Sequence, residues 1–449
     1  MIATRLSSTA TVKKFVPLRM APKTYVVVHG GAGTHSRNSE AEVKKALRLA
    51  CTQALVSPAA GNSDSGSNLA MDLVEQAIAS LEDSPLLNAG CGSNLTLAGT
   101  VECDAAIMDG NSADFGSVGA VSGIKNPIHL ARLILEHARV PDSLGRIPPL
   151  TLVSSGAVEF AQFRNATDLL VPPESLVTPR ASKTWEIWKA RLEGTSSSPP
   201  TPGSFPAVED EDENGDGNDM EMQDLHALQD TVGAVALSIT SNSNSGSNCS
   251  IASGVSSGGI LLKHPGRVGE AAVFGAGCWA QTPTSVEEHG SKRNHPRLGM
   301  ACSEQANTSS ARISRARSLM RLTTPILPLS FPWPRAPTRG EDGDMVEDEN
   351  EDVDVHAILQ RVLAEEFWIP NRSPSNPDPS AGVVLLTTEE DGEGEMTARL
   401  WCAFTTPSMA IAYASPGNPL GKALILRRPK SVESRPNDQP RIFVTGIAL

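Results

Sequence analysis

The chain has 449 residues, 39% of them hydrophobic and only 4% aromatic, with Gly 37 and Pro 33, which suits a core of small aliphatic side chains in a glycine-rich fold. A net charge of -13 argues against a nucleic-acid binder, which would present a basic face, although two acidic runs, around residues 209–224 and 341–354, carry much of it and leave the remainder nearer neutral. No apolar run is long enough to span a bilayer, and the seven cysteines (51, 91, 103, 249, 278, 302 and 402) never form a CxxC pair, so neither zinc-ligand spacing nor a disulfide framework is present. Free buried thiols in a reducing compartment are expected.

Residues 1–22 carry Arg5, Lys13, Lys14 and Arg19 with no acid before Glu40, the composition of a mitochondrial presequence. Met20 offers a natural start just ahead of the first strand-like run, so this segment is read as a tail. The cytoplasm or nucleus is then expected ahead of the mitochondrion. Tyr25 to His29 is β-branched and apolar and ends in His29-Gly-Gly-Ala-Gly33, a buried strand entering a glycine turn. Neither GxGxxG nor GxxxxGK[ST] is present, which excludes a phosphate loop. Two helical patterns follow. In the second, Leu69, Leu73, Ala77 and Leu81 recur every four residues beside Ala70, Val74 and Ile78, giving one apolar stripe. Asn126-Pro127 supplies an N-cap and a proline at the first helical position, opening a helix through about Arg139.

Residues 195–224 are Ser, Pro, Gly, Asp and Glu with little to bury, so a mobile acidic linker is expected over 191–228. Thr231 to Ile239 reads as a strand, Ser241 to Asn248 as a polar turn, and Cys249 to Val255 as the returning strand. A disordered linker ending just before a core strand has a natural use if the chain is cut there. The stretch 304–350 is irregular, proline-rich and then acidic. Val353 to Glu366 returns to helical spacing, and Val383 to Thr387 and Thr397 to Tyr413 read as core strands. Strands in the centre with helices at the flanks predict an α+β sheet sandwich covered by helices.

The chemistry centres on Leu228-Gln-Asp230-Thr231-Val-Gly-Ala-Val235. A threonine hydroxyl is a poor nucleophile unless a base accepts its proton. Breaking the Asp230–Thr231 bond would put an α-amine, of pKa about 7.7–8.0, on the residue that holds the hydroxyl. One residue would then be nucleophile and base together. In the cut itself the hydroxyl would attack the Asp230 carbonyl, shift the acyl group from nitrogen to oxygen, and leave an ester for water to open. By itself this segment also fits a plain strand threonine after a loop aspartate.

Around it stand Ser256-Ser257-Gly-Gly259, Lys263-His-Pro-Gly-Arg267-Val-Gly-Glu270 and Gly275-Ala-Gly-Cys-Trp-Ala280. Upstream stand Leu81-Glu-Asp-Ser-Pro-Leu-Leu-Asn88-Ala-Gly-Cys-Gly-Ser-Asn94 and Glu102-Cys-Asp104 through Asp109-Gly110. Together these motifs resemble the threonine aspartases, a branch of the asparaginase, isoaspartyl peptidase and glycosylasparaginase family of N-terminal-nucleophile hydrolases. The resemblance covers roughly residues 24–190, 225–303 and 351–414.

It implies an αββα four-layer sandwich with disordered acidic insertions. It also implies one proenzyme cut into an α-subunit, 23–230, and a β-subunit, 231–449, assembled as one α/β pair or as two. By position, Thr231 is the nucleophile and Ser257 the second hydroxyl beside it, with self-cleavage between Asp230 and Thr231. Arg267 grips a substrate carboxylate, a task suited to a planar charged donor fork. Gly269, Glu270 and Asn88 complete the substrate site, Asn88 as much by supporting its loop as by direct contact. No cofactor or catalytic metal is implied. The Leu81–Asn88 loop holds sodium in some relatives, and a structural sodium is carried over on that basis. Lys263 and His264 lie near the site without a catalytic task.

Within the family, Asp230 resembles both threonine aspartases and glycosylasparaginases. Enzymes of free aspartyl amino acids read GRVGD-SP, whose aspartate holds the substrate α-amine, and this chain reads GRVGE-AA. KHPGRVG and GCWA point to the branch that cuts proteins after aspartate, so an endopeptidase with a protein substrate is expected ahead of an asparaginase, isoaspartyl or glycosylasparaginase-type amidohydrolase. One departure is sharp. Relatives follow Ala301-Cys302-Ser303 with a segment like SGTGE that forms the oxyanion pocket, whereas here Ser303 runs into Glu304-Gln305-Ala306-Asn307. A missing exon is the preferred reading, and a silent homologue without its oxyanion loop is the other. Animal members work in the nucleus through a basic linker, and the acidic linker here does not carry that signal over.

Overall fold

The computed structural model describes residues 21–56, 68–194, 231–242, 246–282, 287–288, 291–292, 298–304, 354–374, 376–390, 396–436 and 438–449. The tail 1–20, most of the acidic linker with Asp230, and the insertion from 305 onward lie outside the described residues.

β1 (Lys23–Gly33) begins the chain's path through the larger sheet. The glycines after His29 do not turn it. The strand continues across them with a bulge, its register against a later strand shifting between His29 and Ala32. Helices α1 (Glu40–Val56) and α2 (Leu69–Glu82) follow, each with one buried stripe. On α1 it comprises Val43, Leu47, Ala50, Cys51 and Ala54. On α2 Leu69 is only partly buried, while Ala70, Leu73, Val74, Ala77, Ile78 and Leu81 are fully enclosed. Burying each such Leu or Ile contributes about 1.5–3 kcal/mol.

Strands β2 (Cys103–Asp109) and β3 (Phe115–Val121) form a buried hairpin, and α3 (Pro127–Ala138) packs behind it. Proline sits at the start of α3 as the dipeptide predicts, but Asn126 does not cap it with its side chain. Its amide donates to Ala79 O and Asp83 Oδ1 instead, and Glu82 Oε1 accepts the Ile128 amide at 3.1 Å. The end of α2 therefore caps the start of α3. Short β4 (Thr151–Val153) closes the edge of the sheet, followed by α4 (Ser154–Phe163) and α5 (Pro179–Leu192). Arg191 and Leu192 complete the last turn of α5, inside the stretch read from composition as linker.

Beyond the linker come β5 (Val232–Asn242) and β6 (Gly246–Ser257), paired as far as Asn242 opposite Gly246, so strand pairing extends into the run read from sequence as a polar turn. Then follow β7 (Cys278–Gln281), the two-residue pair β8 (Glu287–Glu288) and β9 (Ser291–Lys292), and β10 (Leu298–Glu304). Glu304, read from sequence as the first residue of the insertion, is still strand and pairs with Ala381. Helix α6 (Val355–Arg361) runs on through a π-helical stretch, Val362–Trp368. The chain ends with β11 (Ala381–Glu390), β12 (Met396–Phe404), β13 (Ser408–Ser415), β14 (Asn418–Arg427) and β15 (Phe443–Ala448).

Beside the small β8-β9 pair, the described strands form two larger sheets, in the orders β14-β13-β1-β5-β6-β2-β3-β4 and β15-β12-β11-β10-β7. The region 397–413, one core stretch by composition, supplies a strand to each. Alternating side chains divide the cores as the pleat requires. Val26, Val28, Ala234 and Ala236 face α1 and α2, whereas Val27, Val235 and Leu237 meet Val384, Leu386, Leu400 and Phe404 of the second sheet. On its other face that sheet packs Val383, Leu385 and Ala403 against Leu359, Leu363, Phe367 and Trp368. The architecture is the mixed α+β arrangement expected from the sequence, with helices outside two facing sheets.

Candidate active site

β5 lies in the middle of the larger sheet, between β1 and β6, and Thr231 stands at its head. Antiparallel pairing sets Val232 opposite Ser256, and the same register carried one residue further brings Thr231 beside Ser257. Both are buried, each 3% exposed. The Thr231 hydroxyl donates to Glu270 Oε1 at 2.7 Å and lies 3.2 Å from Ser257 Oγ. Ser257 Oγ in turn accepts the Gly259 amide at 3.0 Å.

Glu270 reaches Thr231 from a short 3-10 turn, Glu270–Ala272. The position of that turn is set by Asp104, a residue to which the sequence gives no role. A register shift in β2 between Cys103 and Ala105 re-aims Asp104, whose carboxylate then accepts the Ala120 amide at 2.7 Å and the Gly269 amide at 2.6 Å. Ala120 takes a positive φ of 47 to make its contact, local strain held by the surrounding sheet. Removal from water pushes the Glu270 carboxyl above the usual carboxylate range. The Thr231 hydrogen bond opposes this, the nearby Asp104 charge adds to it, and Arg267 opposes it.

Arg267 Nη1 is buried and has no hydrogen-bond partner among the described residues. It packs where a side chain on Gly259 or Gly269 would stand. A buried guanidinium donor without an acceptor is costly, and a substrate carboxylate would satisfy it. Gly266, one residue before, is held by the Glu102 carboxylate at 2.7 Å, and Lys263 donates to the Glu102 carbonyl at 2.6 Å. Buried Lys263 thus ties the turn to β2, and His264 is exposed.

Asn88 binds its own scaffold. Its amide nitrogen donates to Gly259 O at 3.0 Å, its carbonyl accepts the Asn94 amide at 2.9 Å, and its backbone carbonyl accepts the Gly258 amide. A Cβ on Gly258 would lie 2.4 Å from Asn88 Oδ1 and 2.5 Å from Ser93 Cβ, so only glycine allows this approach. Carbonyls of the preceding loop also crowd its glycines, Glu82 O against Gly90 and Leu87 O and Ser84 O against Gly92. Carbonyl oxygens are the donors a hard cation takes.

His29, in β1 opposite Gly233, is fully buried with its imidazole against the Thr231 backbone. Burial drives its pKa from 6.5 to about 3; His35 falls to about 4 through burial and then Arg427. Folded protein keeps both neutral, while unfolded chain binds protons below pH 6.5. Stability is therefore unaffected above pH 6.5 and lost as pH falls from there toward 4, each histidine removing up to about 1.4 kcal/mol per pH unit. Urea unfolding of an uncut Thr231→Ala protein between pH 7.5 and 4 measures the slope, which His29→Asn should make shallower by about one proton. An unchanged slope would show that His29 does not titrate this way.

The six cysteines with described side chains are free thiols. Among the described residues no helix is long and apolar enough to cross a membrane.

A family model described as asparaginase matches residues 22–287. The chain is 36% identical over 290 residues to a human isoaspartyl peptidase/L-asparaginase, covering 63% of this chain and 78% of the relative. It is 34% identical over 290 residues to the mouse isoaspartyl peptidase/L-asparaginase, covering 63% and 73%. A plant-type L-asparaginase of Pyrococcus furiosus is 33% identical over 255 residues, covering 57% and 70%.

Proposed function

Because the chain belongs to the asparaginase family of N-terminal-nucleophile hydrolases, we propose that it hydrolyses the amide on an aspartyl or asparaginyl acyl group, as an amidohydrolase of the isoaspartyl peptidase or asparaginase type, with Thr231 as nucleophile. The observation that carries this is the buried Thr231 hydroxyl at the head of β5, held by Glu270 and flanked by Ser257. After self-cleavage behind Asp230, the Thr231 α-amine takes the hydroxyl proton as Oγ1 attacks the substrate carbonyl. Nitrogen leaves with that proton, and water then opens the threonyl ester. Arg267 holds the substrate carboxylate through its vacant donor, Gly269 leaves room for it, and Ser257 steadies the nucleophile. Asn88 holds the Gly258-Gly259 floor, and a structural sodium on carbonyls of the Leu81–Asn88 loop would stiffen the same segment. The layering of two sheets between helices supports the αββα fold of such enzymes. The functional unit is an α/β pair from one proenzyme.

The named relatives reverse the order in which the sequence motifs place the two activities. Endopeptidase action after aspartate is the second reading. Favouring it are Asp230 on the acyl side of the self-cut and a Glu270 carboxylate turned to Thr231 rather than offered to a free α-amine. A three-way assay decides. A β-aspartyl dipeptide and L-asparagine should turn over faster than a peptide copying Leu228–Val235 with glycine at the place of Thr231. Faster cutting of the peptide would establish the endopeptidase. If self-cleavage proceeds and none of the three is consumed, the chain is a silent homologue without its oxyanion loop.

A further inference from the structure

Self-cleavage meets a difficulty that turnover does not. Before the cut, the nitrogen of Thr231 is an amide and cannot accept the hydroxyl proton, so another group must. We propose that Glu270 is the general base of the self-cleavage step, taking the Thr231 Oγ1 proton as that oxygen attacks the Asp230 carbonyl carbon. This rests on the assignment of Thr231 as nucleophile.

Geometry carries the argument. Glu270 Oε1 accepts from Thr231 Oγ1 at 2.7 Å, within the reach a general base requires. The other group at that oxygen, Ser257, is a hydroxyl and far too weak a base, and its Oγ is already committed to the Gly259 amide. Nearby Lys263 is engaged with the Glu102 carbonyl, and the guanidinium of Arg267 offers donors only. Asp104 is fastened to the Ala120 and Gly269 amides, which fixes the turn from which Glu270 extends. An aspartate in its place would fall short by one carbon–carbon bond, about 1.5 Å. The extra methylene of glutamate is what brings the carboxylate to the hydroxyl. Burial strengthens Glu270 as a base, with Asp104 acting in the same direction and Arg267 against it.

The step balances within the chain. The Thr231 proton moves to Glu270, and the new Oγ1–C bond closes a five-membered ring that carries an oxyanion. That oxyanion collapses and the C–N bond breaks. The departing nitrogen takes the proton back from Glu270, leaving an ester between Asp230 and Thr231. Water hydrolyses the ester, giving the Asp230 carboxylate and restoring the hydroxyl beside a free amine.

The test uses the full chain with Glu270→Gln, whose amide oxygen still accepts the hydroxyl but is not a base. Splitting into two fragments, followed by intact mass against time, should slow at least about 10²-fold relative to the native chain. Glu270→Asp should fall between. Hydroxylamine, which opens esters, should fail to rescue Glu270→Gln, because the ester does not form. Native-rate splitting of Glu270→Gln, or full rescue by hydroxylamine, would overturn the proposal. Thermal melting against uncut Thr231→Ala verifies folding. Should Glu270→Gln melt far lower, native-rate splitting of folded Glu270→Asp would overturn the proposal, and slowed splitting would support it. Splitting of Thr231→Ala at the same bond would remove the nucleophile assignment itself, a failure distinct from that of Glu270.

Discussion

Thr231→Ala should stay one polypeptide on a denaturing gel and lose amide hydrolysis by on the order of 10⁴-fold or more, since one atom serves both reactions. The native chain should give two fragments, the smaller beginning at Thr231 by N-terminal sequencing. Alanine removes the donor to Glu270 and the neighbour of Ser257, leaving a carboxylate buried without its partner. A modest loss of stability is therefore expected beside the complete loss of processing. Thr231→Ser keeps the hydroxyl and should process at a reduced rate. Equal hydrolysis by Thr231→Ala and native protein would place the chemistry elsewhere.

Arg267→Ala should raise KM by roughly 30-fold or more, the range for losing one partner of a desolvated charge pair, while kcat changes much less. Its Nη1 has no protein partner among the described residues, so truncation breaks no hydrogen bond of that nitrogen, and the fold should persist. Arg267→Lys should rescue poorly, because an ammonium cannot form two parallel bonds to a carboxylate. Measuring kcat and KM separately on a β-aspartyl dipeptide distinguishes binding from chemistry. An unchanged KM in Arg267→Ala would sink the assignment.

Much of this was legible without coordinates. Apolar β-branched runs mark β1 and β5, four-residue spacing marks α2, and the family resemblance places Ser257 beside Thr231, where the β5–β6 register puts it. Contacts made through backbone from distant segments were not legible. Asp104 acts on the Ala120 and Gly269 amides, and an amide has no letter in a sequence. Glu82 caps a helix that Asn126 was expected to cap, because the Asn126 side chain finds Ala79 and Asp83 instead. Composition could not divide 397–413 either. Both strands are apolar, and only the turn at Thr405–Pro407 sends one to each sheet. The motif makes Glu270 a contact for substrate, whereas in the structure its partner is the nucleophile.

The strand order of the larger sheet has a consequence for the life history of the molecule. A cut before Thr231 assigns β1 to β4 to one fragment and β5, β6, β13 and β14 to the other, yet β1 sits between β13 and β5, and β6 pairs with β2. Within this sheet neither fragment's strands form one contiguous block, whereas the smaller sheet belongs entirely to the second fragment. The two fragments cannot part without tearing several ladders, so the nicked protein should withstand dilution as a single body. Once unfolded, however, its two pieces must find each other, and renaturation becomes second order in concentration. The uncut chain should fold at a rate independent of dilution, and a cut after folding would leave an interlaced pair that is far harder to build twice.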